Sequence, residues 1–353
     1  MKLILVINPG STSTKISLYN ESIEIFENEI SHSLEELSNF DRVINQSDFR
    51  LKKIIEILTE NSFNLSDIYA VAARGGLLRP LSAGTYIINE KMVNDLQECK
   101  YGEHASNLGA IIAFNISKIY KIPAYIADPV SVDEFSDLAR LTGLKEINRI
   151  SLDHPLNVRA ILMKHCEEES IEFSNINAVV AHLGGGISVS AIKEGRIVDV
   201  NNANEGGPFS SNRSGGLPAI DLLNMSFSGD YTFDSLKKLL LSKGGLISYL
   251  DTNDLRIALK NIKEGDKYSK EVVDALCYQI SKEIGAMASV LKGRVNVIIL
   301  TGGMSNENYI TDNIKERISY IAKVKIYPGS NEMEALAFAV LRVLNGKDKY
   351  LEY

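Results

Sequence analysis

Tryptophan is absent from this chain, and cysteine and proline are scarce: three and eight residues in 353. Cys99, Cys166 and Cys277 are odd in number and far apart, which excludes a disulfide framework and a cysteine-based zinc site. A reducing, cytoplasmic setting is the expectation. The isolated prolines cannot build a stiff spacer, and no low-complexity linker divides the chain. Positive charge is also short, with 38 Lys+Arg against 45 Asp+Glu and a net charge of -7, so no broad field exists to hold a nucleic acid. Long apolar runs are missing as well. The first, residues 3–7, is cut by Asn8-Pro9-Gly10, and none approaches the ~20 residues of a membrane span.

What remains is a 45% hydrophobic chain with 25 glycines, long enough for two domains or one large one. Strand-like runs lie at 2–7, 15–19, 70–73, 86–88, 124–127, 178–183, 188–192, 196–200, 295–300 and 324–327. Between them, apolar residues recur at helical steps, as in Leu51, Ile54, Ile55 and Leu58, and 270–292 is long enough for a buried helix. Alternating strands and helices predict an α/β protein. A short apolar strand, a Gly/Ser/Thr-rich turn and a second strand occur at 3–15 and again at 179–190, which predicts two similarly built halves.

Three turns carry the chemistry. Asn8-Pro9-Gly10-Ser11-Thr12-Ser13-Thr14-Lys15 joins four consecutive hydroxyl residues to a lysine, more than a hairpin requires. Hydroxyls, backbone N–H groups and an ammonium make an anion cradle, although the spacing is not that of a Walker P-loop. His182-Leu183-Gly184-Gly185-Gly186 and Leu300-Thr301-Gly302-Gly303 each end an apolar strand on glycines, where backbone can approach a ligand closely. Together they point to a nucleotide site.

These turns resemble the two phosphate segments and the adenosine segment of the acetate and sugar kinase, actin and heat-shock chaperone ATPase superfamily. Within it, the chain resembles the butyrate kinases of the acetokinase family over nearly its whole length. Further matching stretches include Arg74-Gly75-Gly76, Tyr101-Gly102-Glu103-His104, Ala127-Asp128-Pro129, Asp199-Val200-Asn201-Asn202, Arg213-Ser214-Gly215, Gly244-Gly245-Leu246 and Glu332-Met333-Glu334. The resemblance implies two ribonuclease-H-like (actin-like ATPase) domains, each a mixed five-stranded sheet flanked by helices, with a nucleotide cleft between them. It places the first domain at 1–129 plus 334–353 and the second at 130–333. It implies phosphoryl transfer from ATP with Mg²⁺ to butyrate, isobutyrate or another short-chain carboxylate, in a homodimer or higher homo-oligomer without nucleic-acid or membrane partners. Acetate or propionate kinases share that chemistry; an actin-like protein shares only the nucleotide site, and a sugar kinase needs a general base.

By the same resemblance, Arg213, Arg74, His154 and His182 are the catalytic groups. Asn8, Gly10, Ser11, Thr12, Ser13, Lys15, Gly184, Gly185, Gly186, Gly302 and Gly303 bind the phosphates, while Asp128, Glu332 and Asn8 position the metal. Asp153 stands before His154 where the family usually carries Phe, and the acid could raise the pKa of the histidine. The loop Asn204-Glu205-Gly206-Gly207 is one residue short, and Ser330-Asn331 replaces an acidic pair.

Overall fold

The computed structural model describes residues 3–353, which form two compact units. Unit 1 comprises 1–132, 155–159 and 331–353, and unit 2 comprises 133–154 and 160–330. Unit 1 is built on β1 (Leu3–Pro9), β2 (Ser13–Asn20), β3 (Ile23–Ser31), β4 (Ile68–Arg74), β5 (Thr85–Ile87), β6 (Ala124–Ala127) and β12 (Leu351–Glu352). Unit 2 is built on β7 (Ala178–Leu183), β8 (Ile187–Lys193), β9 (Arg196–Val200), β10 (Val297–Gly302) and β11 (Lys323–Pro328).

The sheet orders are β12-β5-β6-β4-β1-β2-β3 and β11-β10-β7-β8-β9. In each, an antiparallel meander (β1-β2-β3, β7-β8-β9) continues through its first strand into two parallel strands (β4-β6, β10-β11). The repeated strand–turn–strand pattern is therefore one topology used twice. The expectation of five strands per domain is corrected for unit 1, whose sheet has seven. Beyond the shared five, β5 pairs antiparallel with β6, and the two-residue β12 adds in parallel at the edge.

The helices that matter here are α1 (Ser47–Glu60), α2 (Asn107–Tyr120), α3 (Pro155–Glu169), α4 (Ala219–Phe227), α5 (Phe233–Ser242), α6 (Lys267–Val290) and α7 (Glu332–Leu344). α6 starts where the Asp266 carboxylate accepts from the N–H groups of Tyr268 and Ser269, and it buries Val272, Val273, Leu276, Ile280, Ile284 and Met287 at three- and four-residue steps. β7 and β10 are buried along their whole length, as parallel strands covered on both faces must be. Cys99, Cys166 and Cys277 are free thiols, and burial pushes Cys166 to about 11 and Cys277 to about 12. No helix among the described residues is long and apolar enough to cross a membrane.

Candidate active site

In unit 1 the β1–β2 register sets Asn8 opposite Lys15 and Pro9 opposite Thr14, so the chain reverses at Gly10-Ser11-Thr12. Alternation along the strands turns Leu3, Leu5, Ile7, Ile16 and Leu18 into the core and leaves Asn8 and Lys15 on the other face. Ser11 and Thr12 are exposed at the tip, whereas Thr14 is buried. Only three of the four hydroxyls are thus available to a ligand. Lys15 Nζ lies 2.9 Å from a carboxylate oxygen of Glu27 on β3. An ion pair this exposed contributes at most ~1 kcal/mol, so a phosphate can compete for the ammonium.

The turn is held from inside by Arg50, a fully buried residue of α1. Its Nη1 donates to the Gly10 carbonyl at 2.8 Å, the Ser13 carbonyl at 2.9 Å and Thr14 Oγ1 at 3.1 Å. Its Nη2 donates to the Ser11 carbonyl at 3.1 Å and to Gln46 Oε1 at 2.7 Å. Because Arg50 only donates, the Thr14 hydroxyl proton is left for His32 Nε2, 2.9 Å away. Burial, and then the Arg50 charge, push the pKa of His32 down to about 4. The folded chain therefore resists protonation that the unfolded chain accepts near 6.5, so stability should fall as pH drops from about 6.5 towards about 4. Thermal melts across that window, compared with those of His32→Gln, check this: the variant should flatten the slope, and an unchanged slope refutes it.

At the carboxyl ends of the adjacent parallel strands β1, β4 and β6 stand Asn8, Arg74 and Asp128, since Ile7 faces Ala73 and Arg74 faces Ala127. Glu332, the first residue of α7, completes this edge. Its Oε2 accepts from Asn8 Nδ2 at 2.8 Å and from Arg74 Nη1 at 2.6 Å, and Arg74 Nη1 also approaches Asn8 Oδ1 at 3.4 Å. Arg74, Asn8 and Glu332 are thus brought together. Asp128 is engaged differently: its Oδ1 accepts from the Gly84 N–H at 2.7 Å and lies 3.1 Å from Nε of Arg159 on α3. The backbone there is left-handed, at φ 37°. Glycine is required beside Arg74, because a Cβ on Gly76 would lie 2.6 Å from Asn107 Cα and one on Gly75 2.5 Å from Pro129 Cβ. His104 comes under the charge of Arg74; desolvation, and then that charge, hold its pKa below the ordinary imidazole value.

In unit 2 the register pairs His182 with Ser188 across the Gly184-Gly185-Gly186 turn. His154 caps α3 directly before Pro155, and its ring stacks on that of His182 at 4.0 Å between centroids and 13° between planes. Ser188 Oγ lies 2.9 Å from His154 Nδ1. The buried Asp153 accepts from the His154 backbone N–H at 2.7 Å and from Ser190 Oγ at 2.6 Å. It ties the loop to β8 in place of the aromatic residue that the resemblance leads one to expect.

Arg213 lies against the same glycine turn. A Cβ on Gly186 would sit 2.3 Å from Arg213 Nη1, so only glycine admits the guanidinium there. Nη1 also donates to the Ala203 carbonyl at 3.3 Å, and burial pushes the pKa of Arg213 down. Ser210 fixes the loop by donating to the Gly185 carbonyl and accepting from the Arg213 N–H at 3.1 Å. In the third turn, Gly302 has φ 88°, and a Cβ there would lie 2.5 Å from the Leu183 carbonyl oxygen. Gly185 and Gly303 differ from these. Both are exposed, and a Cβ meets ordinary contact at Gly185 and open space at Gly303, so the packing of the chain does not require them.

As donors for a metal, Asn8 and Glu332 offer the hard oxygens that Mg²⁺ accepts when phosphate and water complete its shell. Among the described residues, no group of three or more His, Cys, Asp or Glu side chains stands ready to hold an ion alone. Sequence reasoning passed over Arg50, Arg159 and His32, whose roles depend on partners far away in the chain.

The sequence profile of the acetokinase family matches residues 162–331. A probable butyrate kinase 2 of Caldanaerobacter subterraneus subsp. tengcongensis is 48% identical over 345 residues, 98% of each chain. Butyrate kinase 2 of Clostridium acetobutylicum is 45% identical over 351 residues, 99% of each. The crystal structure of Porphyromonas gingivalis acetate kinase superposes with a TM-score of 0.82 at 18% identity, covering 98% of this chain and 100% of that one. This last likeness carries the fold: two mixed sheets of the actin-like ATPase type.

Proposed function

This chain belongs to the acetokinase family and is an ATP-dependent carboxylate kinase; we propose that it phosphorylates butyrate or a branched short-chain acid, reversibly, giving an acyl phosphate and ADP. The observation that carries the reading is the engagement of Asp128. A hydroxyl acceptor needs a carboxylate to take its proton, and Asp128, through Oδ1, is already paired with Arg159 and accepts from the Gly84 N–H. A carboxylate acceptor needs no such base, because it is already ionised at neutral pH. Its oxygen attacks the γ-phosphorus, the bond to the ADP oxygen breaks, and the protein positions the reactants and neutralises charge.

In this reading Arg213 and Arg74 steady the transferring phosphoryl, with planar donors suited to its oxygens. Its equatorial oxygens accept from the stacked His154 and His182. The backbone of Gly10, Gly184, Gly185, Gly186, Gly302 and Gly303 approaches the nucleotide, and Ser11, Thr12, Ser13 and Lys15 bind its phosphates. Gly185 and Gly303 support this most directly, since nothing in the chain demands a glycine at either. Asn8 and Glu332 would hold Mg²⁺, with Asp128 nearby on the same sheet edge, and the ion would supply positive charge to offset that of the phosphates. A cytosolic homodimer or larger homo-oligomer completes the proposal and fits the three free thiols.

Trapping the product with hydroxylamine tests it. Given ATP, Mg²⁺ and straight or branched acids of two to five carbons, the four-carbon acids should exceed acetate by at least about tenfold in kcat/KM, as one methylene is worth ~1–3 kcal/mol. A preference for acetate or propionate would move the assignment within the family. No hydroxamate from any acid would remove it.

A further inference from the structure

β8 and β9 pair through their backbones as far as Ser190 and Val200. The next residue, the buried Asn201, continues the pairing with its side chain: Oδ1 accepts from the Val189 N–H at 2.6 Å, and Nδ2 donates to the Ile187 carbonyl at 2.9 Å. A carboxamide carries the donor and the acceptor of a peptide group, so it satisfies this edge of β8 while the backbone turns away.

The backbone so released becomes the loop that carries Arg213, and it is seated on the same amide. Nδ2 also lies 3.5 Å from the Gly206 carbonyl. A Cβ on Gly207, at φ 68°, would lie 2.4 Å from Nδ2, so glycine is required for the loop to close over Asn201. Two residues past Asn201, the Ala203 carbonyl accepts from Arg213 Nη1. On the β8 side, Ile187 directly follows Gly186, against which the guanidinium lies. Ile187 and Val189 flank Ser188, whose hydroxyl meets His154 Nδ1. Elsewhere the loop is held by α5 and α6: the Ser214 N–H donates to the Leu240 carbonyl at 2.9 Å, and the Phe209 N–H to Gln279 Oε1 at 3.2 Å.

We propose, on the phosphoryl-transfer reading given above, that Asn201 is a positioning residue for that step. One buried amide sets the spacing between Arg213 and His154, two of the groups that this unit offers to the transferring phosphoryl. Asn201 acts through them and through the backbone of Ile187 and Val189, not by touching the reacting atoms. Without the amide, a buried N–H and a buried carbonyl lose their partners, and loop and glycine turn are no longer held in register. A displacement of ~1 Å in such a constellation costs on the order of 10²-fold in rate.

Asn201→Asp tests this. The substitution is nearly isosteric; it keeps an acceptor for Val189 but sets a second oxygen against the Ile187 and Gly206 carbonyls. With hydroxamate formation from a four-carbon acid as the assay, kcat should fall about 10–100-fold while the KM for ATP stays within about threefold. Deuterium uptake should rise in peptides covering 186–189 and 201–213, and not in those of the β1–β2 hairpin. If the buried carboxylate prevents folding, Asn201→Ser, neutral and too short to reach β8, should give the same split. Glu205→Ala, exposed on the same loop, should match the wild type. A wild type that makes no hydroxamate removes the transfer reading and this inference with it. With an active wild type, an unchanged kcat in the Asn201 variant overturns the inference alone, even where the loop exchanges faster, because the amide then braces only the fold. A loss confined to KM, or an equal loss of kcat from Glu205→Ala, overturns it as well.

Discussion

Arg213→Ala should lower kcat by about 10²–10³-fold, the loss seen when one preorganised donor to a developing oxyanion is removed, while calorimetric ATP binding weakens only a few-fold. The asymmetry follows from where the guanidinium lies. It is desolvated against the backbone of Gly186, so it has given up water before any ligand arrives and needs little reorganisation when charge develops. Arg213→Lys should recover only part of the rate, because an ammonium replaces a planar fork with a point charge and cannot fill the slot left by the missing Cβ of Gly186. Equal losses in turnover and ATP affinity would instead mark Arg213 as a brace for the loop through the Ala203 carbonyl.

Arg50→Met should be strongly destabilising, by about 3 kcal/mol or more, since it strips the donor from the buried oxygens of Thr14 and Gln46 and from the part-buried turn carbonyls, at ~1–3 kcal/mol for each buried acceptor left unpaired. Three of those acceptors are the carbonyls of Gly10, Ser11 and Ser13, which shape the first phosphate turn. The damage should therefore appear twice: as a lower denaturation midpoint, and as a raised KM for ATP in whatever protein remains folded. Burial pushes the pKa of Arg50 down to about 10, so the charge is present at neutral pH, and Arg50→Lys should restore part of the stability with fewer donors. Denaturant titrations and ATP kinetics on both variants check this. A variant of wild-type stability and KM would show that the hairpin holds its own shape.

The contrast between these arginines shows what could be read from the sequence. Arg213 announces itself beside Gly215 and Gly216, and the turns that follow β7 and β10 hold Gly186 and Gly302, where no Cβ fits. Arg50 stands between Phe49 and Leu51-Lys52-Lys53, where it reads as one more cation on the wet side of an amphipathic helix. Its acceptors come from a hairpin some forty residues earlier, so no local pattern reveals them. Arg159 is hidden in the same way, its partner Asp128 lying on another element. β3 escaped because most of its side chains are exposed and its acids interrupt the apolar residues, while β12 is only two residues long. Elements defined by burial were legible at once: β6, β7 and β9 run over the spans expected from their apolar stretches.

The chain order of the two units has a consequence for biosynthesis. Unit 2 has its last residue at Ser330, whereas unit 1 takes in residues 331–353. α7 buries Leu336, Ala337 and Val340, and β12 pairs with β5, so the half that leaves the ribosome first is the half that must wait. Until residues 331–353 have been made, β1 and β4 lack the helix that covers one of their faces, and the edge of β5 is open. The usual N-to-C order of domain completion is thereby reversed. Glu332 lies within residues 331–353, so the nascent chain cannot assemble the Asn8–Arg74–Glu332 cluster before the inserted unit has been made.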